Sequence, residues 1–449
     1  MVRADSFLGF RTRSNTSRVS FLASIAILVL SFSLLLAPSL QAERIFFAGY
    51  KGGFYIKSEE EGGMELRLGG SFQADYRYYL ENERADNRFD IRRARLIFRG
   101  QLTRWFRFGM EYEFQGNETN NLVDAYGEWV ISGLQALRFG QFKEPFSLEW
   151  QTSTKAIFFA ERSMGYYLTP KYDIGLMLHG SMMQDSINYA CGLFNGDGDD
   201  GSTRGDETDT PEIAARIVVH PFGEAFSRSL QNVQVGGSFT YAQIDLANLD
   251  LKIKSTGMAG SSRNIYVLGH DTKFGVLQDV DTRIRAGLEL GWANGPLGFM
   301  SEYIWMRYSD LKPATGPSED ATLSSWYASG VYCLTGEHLV FSGGVMKPVY
   351  PNRFFNPEEG TWGAFCIAAR YEHFDGDEAW IREGTSVSVR EADALSAALT
   401  WHLFPMYQIL VDYTYTDLSD QIKVRVNTDG SIDYIDNENV LTLRFSMDF

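Results

Sequence analysis

From Met64 to Leu80 apolar and polar positions alternate without a break. Met64, Leu66, Leu68, Phe72, Ala74, Tyr76, Tyr78 and Leu80 fall on one face, and Glu65, Arg67, Ser71, Gln73, Asp75 and Arg77 on the other. Successive side chains of a strand point to opposite faces, so this stretch is a strand with one apolar and one polar wall. It is far longer than the usual soluble strand of about 5–6 residues. A tilted strand that crosses a bilayer and overshoots it accommodates the length. The last residues read the same way: Leu441, Leu443, Phe445, Met447 and Phe449 alternate with Thr442, Arg444, Ser446 and Asp448.

The pattern recurs near 89–99, 107–114, 123–129, 135–142, 173–183, 186–194, 212–220, 232–243, 284–292, 297–308, 324–334, 338–346, 362–372, 396–403 and 407–415. Aromatic residues gather toward the ends of many outward faces, as interfacial girdles require. No helical period persists after the first 42 residues. The count is about seventeen segments, and bacterial single-chain barrels take even numbers. The expected fold is therefore all-β, a transmembrane antiparallel barrel of 16 strands, with 18 as the alternative. Short links near 100–104, 132–133, 294–296 and 404–406 alternate with long polar ones at 195–211, 244–281, 309–323, 347–361, 373–393 and 417–439. Short periplasmic turns and long outer loops are the habit of such barrels. A barrel cannot be interrupted without leaving unpaired edges in lipid, so residues 64–449 form one domain.

Residues 1–42 look like an export signal. Arg3, Arg11, Arg13 and Arg18 precede the uncharged, mostly apolar run Val19–Leu36, and Pro38, Ser39 and Ala42 supply a stop and a small-residue exit. A retained membrane anchor is the other reading. Residues 43–63 read as a periplasmic lead-in. Removing the four basic residues and one acidic residue of 1–42 from the chain's 41 and 57 leaves a net charge of −19. That argues against a nucleic-acid partner. Cys191, Cys333 and Cys366 show no metal spacing and fall in strand-like segments, where they read as small wall residues.

Two segments carry candidate chemistry. Between 88 and 107 stand seven arginines, Arg88, Arg92, Arg93, Arg95, Arg99, Arg104 and Arg107, against the single acid Asp90. If Ala94, Leu96 and Phe98 face lipid, Arg93, Arg95 and Arg99 face the lumen. A guanidinium stays charged and offers a planar fork of donors suited to oxyanions. Pairing with Glu111, Glu113 and Asp124 on neighbouring strands is an equally good account of the same residues. The second segment, 138–173, begins as a strand with Arg138 and is broken at Pro145. It combines Lys143, Lys155 and Arg162 with Thr152, Ser153 and Thr154, and it holds Trp150, Ile157, Phe158, Phe159, Tyr166 and Tyr167. A loop this apolar packs, and the lumen is the place for it. Hydroxyls beside cations are what a partly dehydrated anion needs.

RRARLIFRG (92–100), GQFKEPFSLE (140–149), QTSTK followed by ERS (161–163), and LFNGDGD (193–199) resemble the phosphate-selective porin O and P family. LTGE (334–337) and AARYEHFD (368–375) do so more loosely, and an ending on Phe resembles the assembly signal of outer-membrane barrels. The resemblance implies a homotrimer of sixteen-stranded outer-membrane barrels passing anions, phosphate or polyphosphate foremost, through a constriction made by infolded loops. It places Lys143, Lys155 and Arg162 on the loop that narrows the pore and Arg93, Arg95 and Arg99 on the wall beside it. No cofactor is implied.

The acidic stretch 197–209 suggests a calcium loop or a solvated outer loop bridged by divalent cations to lipopolysaccharide. The six histidines show no close metal spacing, and no nucleophile elbow, phosphate-binding loop or dinucleotide fingerprint occurs. A general or cation-preferring porin, a plugged structural or adhesive barrel and an enzymatic barrel are the competing functions.

Overall fold

The structure is a computed structural model that describes residues 45–449 except 51, 61, 81–84, 116–120, 197–209, 223–227, 245–250, 262, 270–271, 383–387, 427–428 and 430. The expected leader and the acidic stretch 197–209 lie outside the described residues. The chain divides after Phe46; of the leading part only Ile45 and Phe46 are described, and the body is Phe47–Phe449.

Among the described residues of the body, sixteen long strands follow one another. They are β1 Glu65–Leu80, β2 Arg88–Thr103, β3 Phe106–Glu113, β4 Leu122–Ser132, β5 Gln135–Lys143, β6 Tyr172–Met182, β7 Ile187–Phe194 and β8 Glu212–Val219. The second half comprises β9 Val233–Gln243, β10 Thr282–Asn294, β11 Leu297–Pro313, β12 Glu319–Cys333, β13 Ala364–Asp375, β14 Glu391–Phe404, β15 Tyr407–Val426 and β16 Ile432–Asp448. Each pairs antiparallel with the next, and β16 returns to β1 from Asn439↔Leu80 to Asp448↔Ser71, closing the barrel. In the lead-in, Phe54–Ser58 pairs with the start of β1. Closure leaves no backbone edge facing lipid, which the alternation demands. The phase is as read: Leu441, Leu443 and Phe445 are exposed outward, whereas Thr442, Arg444 and Ser446 are buried inward. The walls differ in height. Strands β3 to β9 run 8 to 11 residues, and β10 to β16 run 12 to 20, the longest being β15.

Four expectations need correction. Residues 338–346 are not a wall strand. They form a small hairpin, Phe341–Ser342 against Val345–Met346, within the link 334–363 between β12 and β13. The alternation of HLVFSGGVM reports one buried face, and that face packs on protein: Leu339, Phe341 and Met346 are buried with Leu148, Phe158 and Phe159. This long link also leaves from the end of the barrel that carries the short turns, so 347–361 is periplasmic. The stretches 309–323 and 417–439 are mostly strand, because β11, β12, β15 and β16 extend past the apolar belt. Finally, Cys333 and Cys366 are register partners on β12 and β13 and form a disulfide; Cys191 alone is a free, exposed wall cysteine.

The lumen is filled by links that fold inward. Residues 144–171, between β5 and β6, cross it. On the outer side, Met164 and Leu168 pack with Ile253, Ile265, Tyr266 and Leu268 of the link 244–281 and with Trp380 of the β13–β14 link. On the periplasmic side, Leu148, Phe158 and Phe159 pack against the 334–363 link.

Candidate pore constriction

The inward turn of the loop begins where β5 ends. Ser147 takes a left-handed backbone, φ 64°, and its hydroxyl accepts from the Trp150 amide at 3.1 Å, capping the short helix Leu148–Gln151. Glu302 reaches from β11 to the same helix start. Its carboxylate accepts from the Leu148 amide, from the Glu149 amide at 3.1 Å and from the Ser147 hydroxyl at 3.2 Å. Orphan amides at a helix start are natural partners for a carboxylate, so the loop is clasped at its entry.

The loop's own acids bind it to arginines of the wall. Glu149 accepts from the Ser163 hydroxyl at 2.7 Å and from Arg370 of β13 at 3.0 Å. Glu161 meets Arg92 at 2.7 and 2.9 Å, Arg444 at 3.2 Å, and Arg77. Asp75 holds the last two from behind, at 2.7 Å from Arg444 and 2.8 Å from Arg77. Burial alone would raise the Glu161 carboxyl. The guanidinia of Arg92 and Arg77 outweigh it and keep that group well below the usual carboxylate range. The loop is thus fixed to the wall chiefly through its acids.

Between this loop and the wall β2 to β7 lies a cavity of about 790 Å³, extending toward the β6–β7 turn at the periplasmic end. Arg93, Arg95, Arg99, Arg138, Lys143, Lys155 and Arg162 all line it, together with Ser71, Ser153, Thr154, Trp150, Tyr166 and Tyr172. Lys143 stands at the end of β5, one residue before the loop, Lys155 and Arg162 stand on the loop, Arg138 on β5, and Arg93, Arg95 and Arg99 on β2.

The seven differ in their charge partners. Arg95 sits 2.7 Å from both Glu111 and Glu113. Arg99 is 3.8 Å from Glu111, and Lys155 is 3.3 Å from Asp448. Arg138 binds Glu128 at 2.7 and 2.9 Å, and Glu128 also takes His179 at 2.9 Å. These four are compensated. Arg93, Lys143 and Arg162 form no ion pair with a carboxylate among the described residues. Arg93 donates to the Gln73 side chain at 2.8 Å, and Lys143 to the Trp150 carbonyl at 2.7 Å. Arg162 donates to the carbonyls of Glu149 at 3.1 Å and Thr152 at 2.9 Å. The Trp150 ring lies between the two loop-side cations, 4.4 Å from the Lys143 ammonium and 5.2 Å from the Arg162 guanidinium. Neutral partners orient these three groups without an ion pair to cancel their field, and Asp124, an acid that forms no ion pair among the described residues, shares the cavity with them.

Against this geometry stand the comparisons. The family described as "Phosphate-selective porin O and P" matches residues 66–449. The chain belongs to that family. The porin is accordingly an outer-membrane channel of the anion-passing family, built as a sixteen-stranded barrel. It is 25% identical over 392 residues to Porin O of Pseudomonas aeruginosa, covering 81% of this chain and 85% of that protein. Among solved structures, the barrel is similar to the anion-selective porin from Comamonas acidovorans, with a TM-score of 0.52 at 11% identity, covering 86% of this chain and all of that one. It is also similar to the outer-membrane channel DcaP of Acinetobacter baumannii, with a TM-score of 0.51 at 11% identity, covering 90% and 100% of the two chains. At such identities the structural likeness speaks for the fold alone.

Sequence reasoning missed several residues of the site. Arg92 alternates onto the lipid face in a regular strand, but the β1–β2 register shifts between Gln73 and Ala74, and Arg92 turns inward beside Arg93. The roles of Glu149, Glu161 and Glu302 as fasteners carry no local signal, because their partners lie far away in the chain. The link 244–281 leaves from the outer end, as an outer loop should, but folds back into the barrel, where its Thr256 donates to Glu372 at 2.7 Å and to the Arg162 carbonyl at 3.4 Å.

Proposed function

We propose that the porin passes small anions down their gradient, phosphate and polyphosphate foremost, and that Arg93, Lys143 and Arg162 are the residues that favour them. The observation that carries this reading is the set of three cations on one cavity whose hydrogen bonds go to neutral groups, while the neighbouring cations are neutralised. Arg95, Arg99, Arg138 and Lys155 supply further donors along the same wall, each tempered by its acid. Ser153, Thr154 and Tyr172 add donors that replace water around an oxyanion as it narrows into the throat. Chloride uses the charge alone; a phosphate uses the charge and the donors. The chain's net negative charge does not oppose this, because acids such as Glu161, Glu149 and Asp75 are consumed in pairs.

Assembly as a homotrimer and contact with lipopolysaccharide belong to the same proposal, on the strength of the family. The test is the zero-current potential of purified protein in a planar bilayer under a potassium chloride gradient, followed by titration with phosphate. An anion-selective sign and a chloride current that falls as phosphate is added are expected. A cation-selective sign would overturn the reading.

A further inference from the structure

The link 334–363 has two lobes on opposite sides of the wall. Its first half enters the lumen. Its second half closes into a hairpin, Phe355–Asn356 against Thr361–Trp362, and lies on the outward face of β14. The Phe355 ring packs edge-on against Trp401 at 5.6 Å and lies 5.7 Å from Trp362. The Trp401 indole donates to the Trp362 carbonyl at 2.6 Å. Trp401 shares its outward face with the exposed Leu395 and Leu399, so the lobe rests on the surface that meets lipid. Gly363, φ 75°, permits the approach, since a Cβ there would collide with the His402 carbonyl.

On its free side the lobe shows aromatic surface. Tyr350 is 66% exposed, Trp362 56% and Phe354 42%. These rings continue a row at the periplasmic rim: Tyr350 is 5.6 Å from Phe354, Phe354 is 6.0 Å from Phe404, and Phe404 is 6.0 Å from Tyr407 beyond the β14–β15 turn. Tyrosine and tryptophan favour the headgroup level, where a ring finds apolar surroundings and its polar atom finds water.

We propose that residues 350–362 form a membrane-interface anchor, in which Tyr350, Phe354 and Trp362 enter the headgroup region of the periplasmic phospholipid leaflet. The occupant follows from continuity: the lobe is seated on the lipid-facing wall and extends its aromatic rim.

The test places a bimane label through Phe354→Cys in a Cys191→Ser background, with the Cys333–Cys366 disulfide kept, and reconstitutes the protein in phosphatidylcholine vesicles. The lipids carry a nitroxide either near the headgroup or at mid-chain. Quenching about twofold stronger from the headgroup position, with little effect of aqueous iodide, is the expected result. Quenching by iodide alone would show a lobe standing in water. Protection from both would show a lobe covered by protein, whether a second copy or another part of the chain. Either result overturns the anchor. Should Phe354→Cys fail to give heat-modifiable barrel, Trp362→Cys reports on the same surface with the same outcomes.

Discussion

Removing the charge of Arg93 without removing its hydrogen bond isolates the electrostatic part of the proposed filter. Arg93 projects from β2 and, among the described residues, makes its one side-chain hydrogen bond to Gln73, so Arg93→Gln leaves an amide able to meet that partner. Unlike Arg162, it does not brace the loop. A unit cation ~6 Å from an anion at an effective dielectric of ~20 contributes about 2.8 kcal/mol, or roughly a hundredfold in occupancy. Mobile ions and the remaining cations reduce this, and about tenfold is the working expectation. The assay is phosphate block of chloride current in a planar bilayer, read as the half-blocking concentration, together with the zero-current potential. Arg93→Gln should raise the half-blocking concentration about tenfold and move the potential toward zero. Lys423→Gln removes the same charge from the outer extension of β15, away from the cavity, and should change neither. If the two variants shift block equally, the field of the whole protein governs selectivity and the cavity cations do not.

Three further outcomes follow from the packing. Glu161→Gln strips a buried carboxylate from Arg77, Arg92 and Arg444 and should cost about 3–5 kcal/mol in a urea refolding titration; a loss below about 1 kcal/mol would show that the loop is held elsewhere. Leu443→Arg on the lipid face should cost roughly 2–4 kcal/mol, and Arg444→Leu beside it a comparable amount by taking one of two guanidinia from buried Asp75 and one of three from Glu161, so tolerance of either change contradicts the assigned faces. Replacing Cys333 and Cys366 by serine opens a long covalent loop and should lower stability by about 3–4 kcal/mol, measured as the difference between oxidised wild type and variant in the same titration.

Much of the barrel was legible because lipid imposes a rule on every second residue. From Met64 to Leu80 the rule fails only at Gly69, Gly70 and the inward Tyr79, and the phase of Leu443 and Arg444 is as it dictates. The rule fails where its cause is absent. Beyond the bilayer the outward faces of β11 and β15 carry polar residues such as Asp310, Lys312, Asp417 and Gln421, while Leu311, Leu418 and Ile422 stay buried inward, so the lipid half of the pattern is lost although the hydrogen-bonded ladder continues. In 338–346 the alternation persists because the burying medium is the constriction loop, which a pattern cannot distinguish from lipid. At Arg92 a single bulge reverses the facing of one residue. The cations of the site were identifiable by type and neighbourhood, and all seven line one cavity. Pairing with Glu111 and Glu113 was among the readings of the arginine cluster, but that it takes Arg95 and Arg99 and leaves Arg93 aside depends on a register that is a property of the folded sheet.

The uneven height of the wall has a consequence for the surrounding membrane. Eight residues at ~3.3 Å each, tilted by about 40°, rise roughly 20 Å, short of an apolar band about 25 Å tall. The flank containing β3, β7 and β8 has this length, whereas β15 with its 20 residues far exceeds it. Lipid against the low flank must thin by several ångströms, at fractions of a kcal/mol per ångström. Two low flanks set against each other relieve that distortion for both molecules. Bilayer thickness is then a force acting between copies: thicker lipids should drive them together, and thinner lipids should let them part.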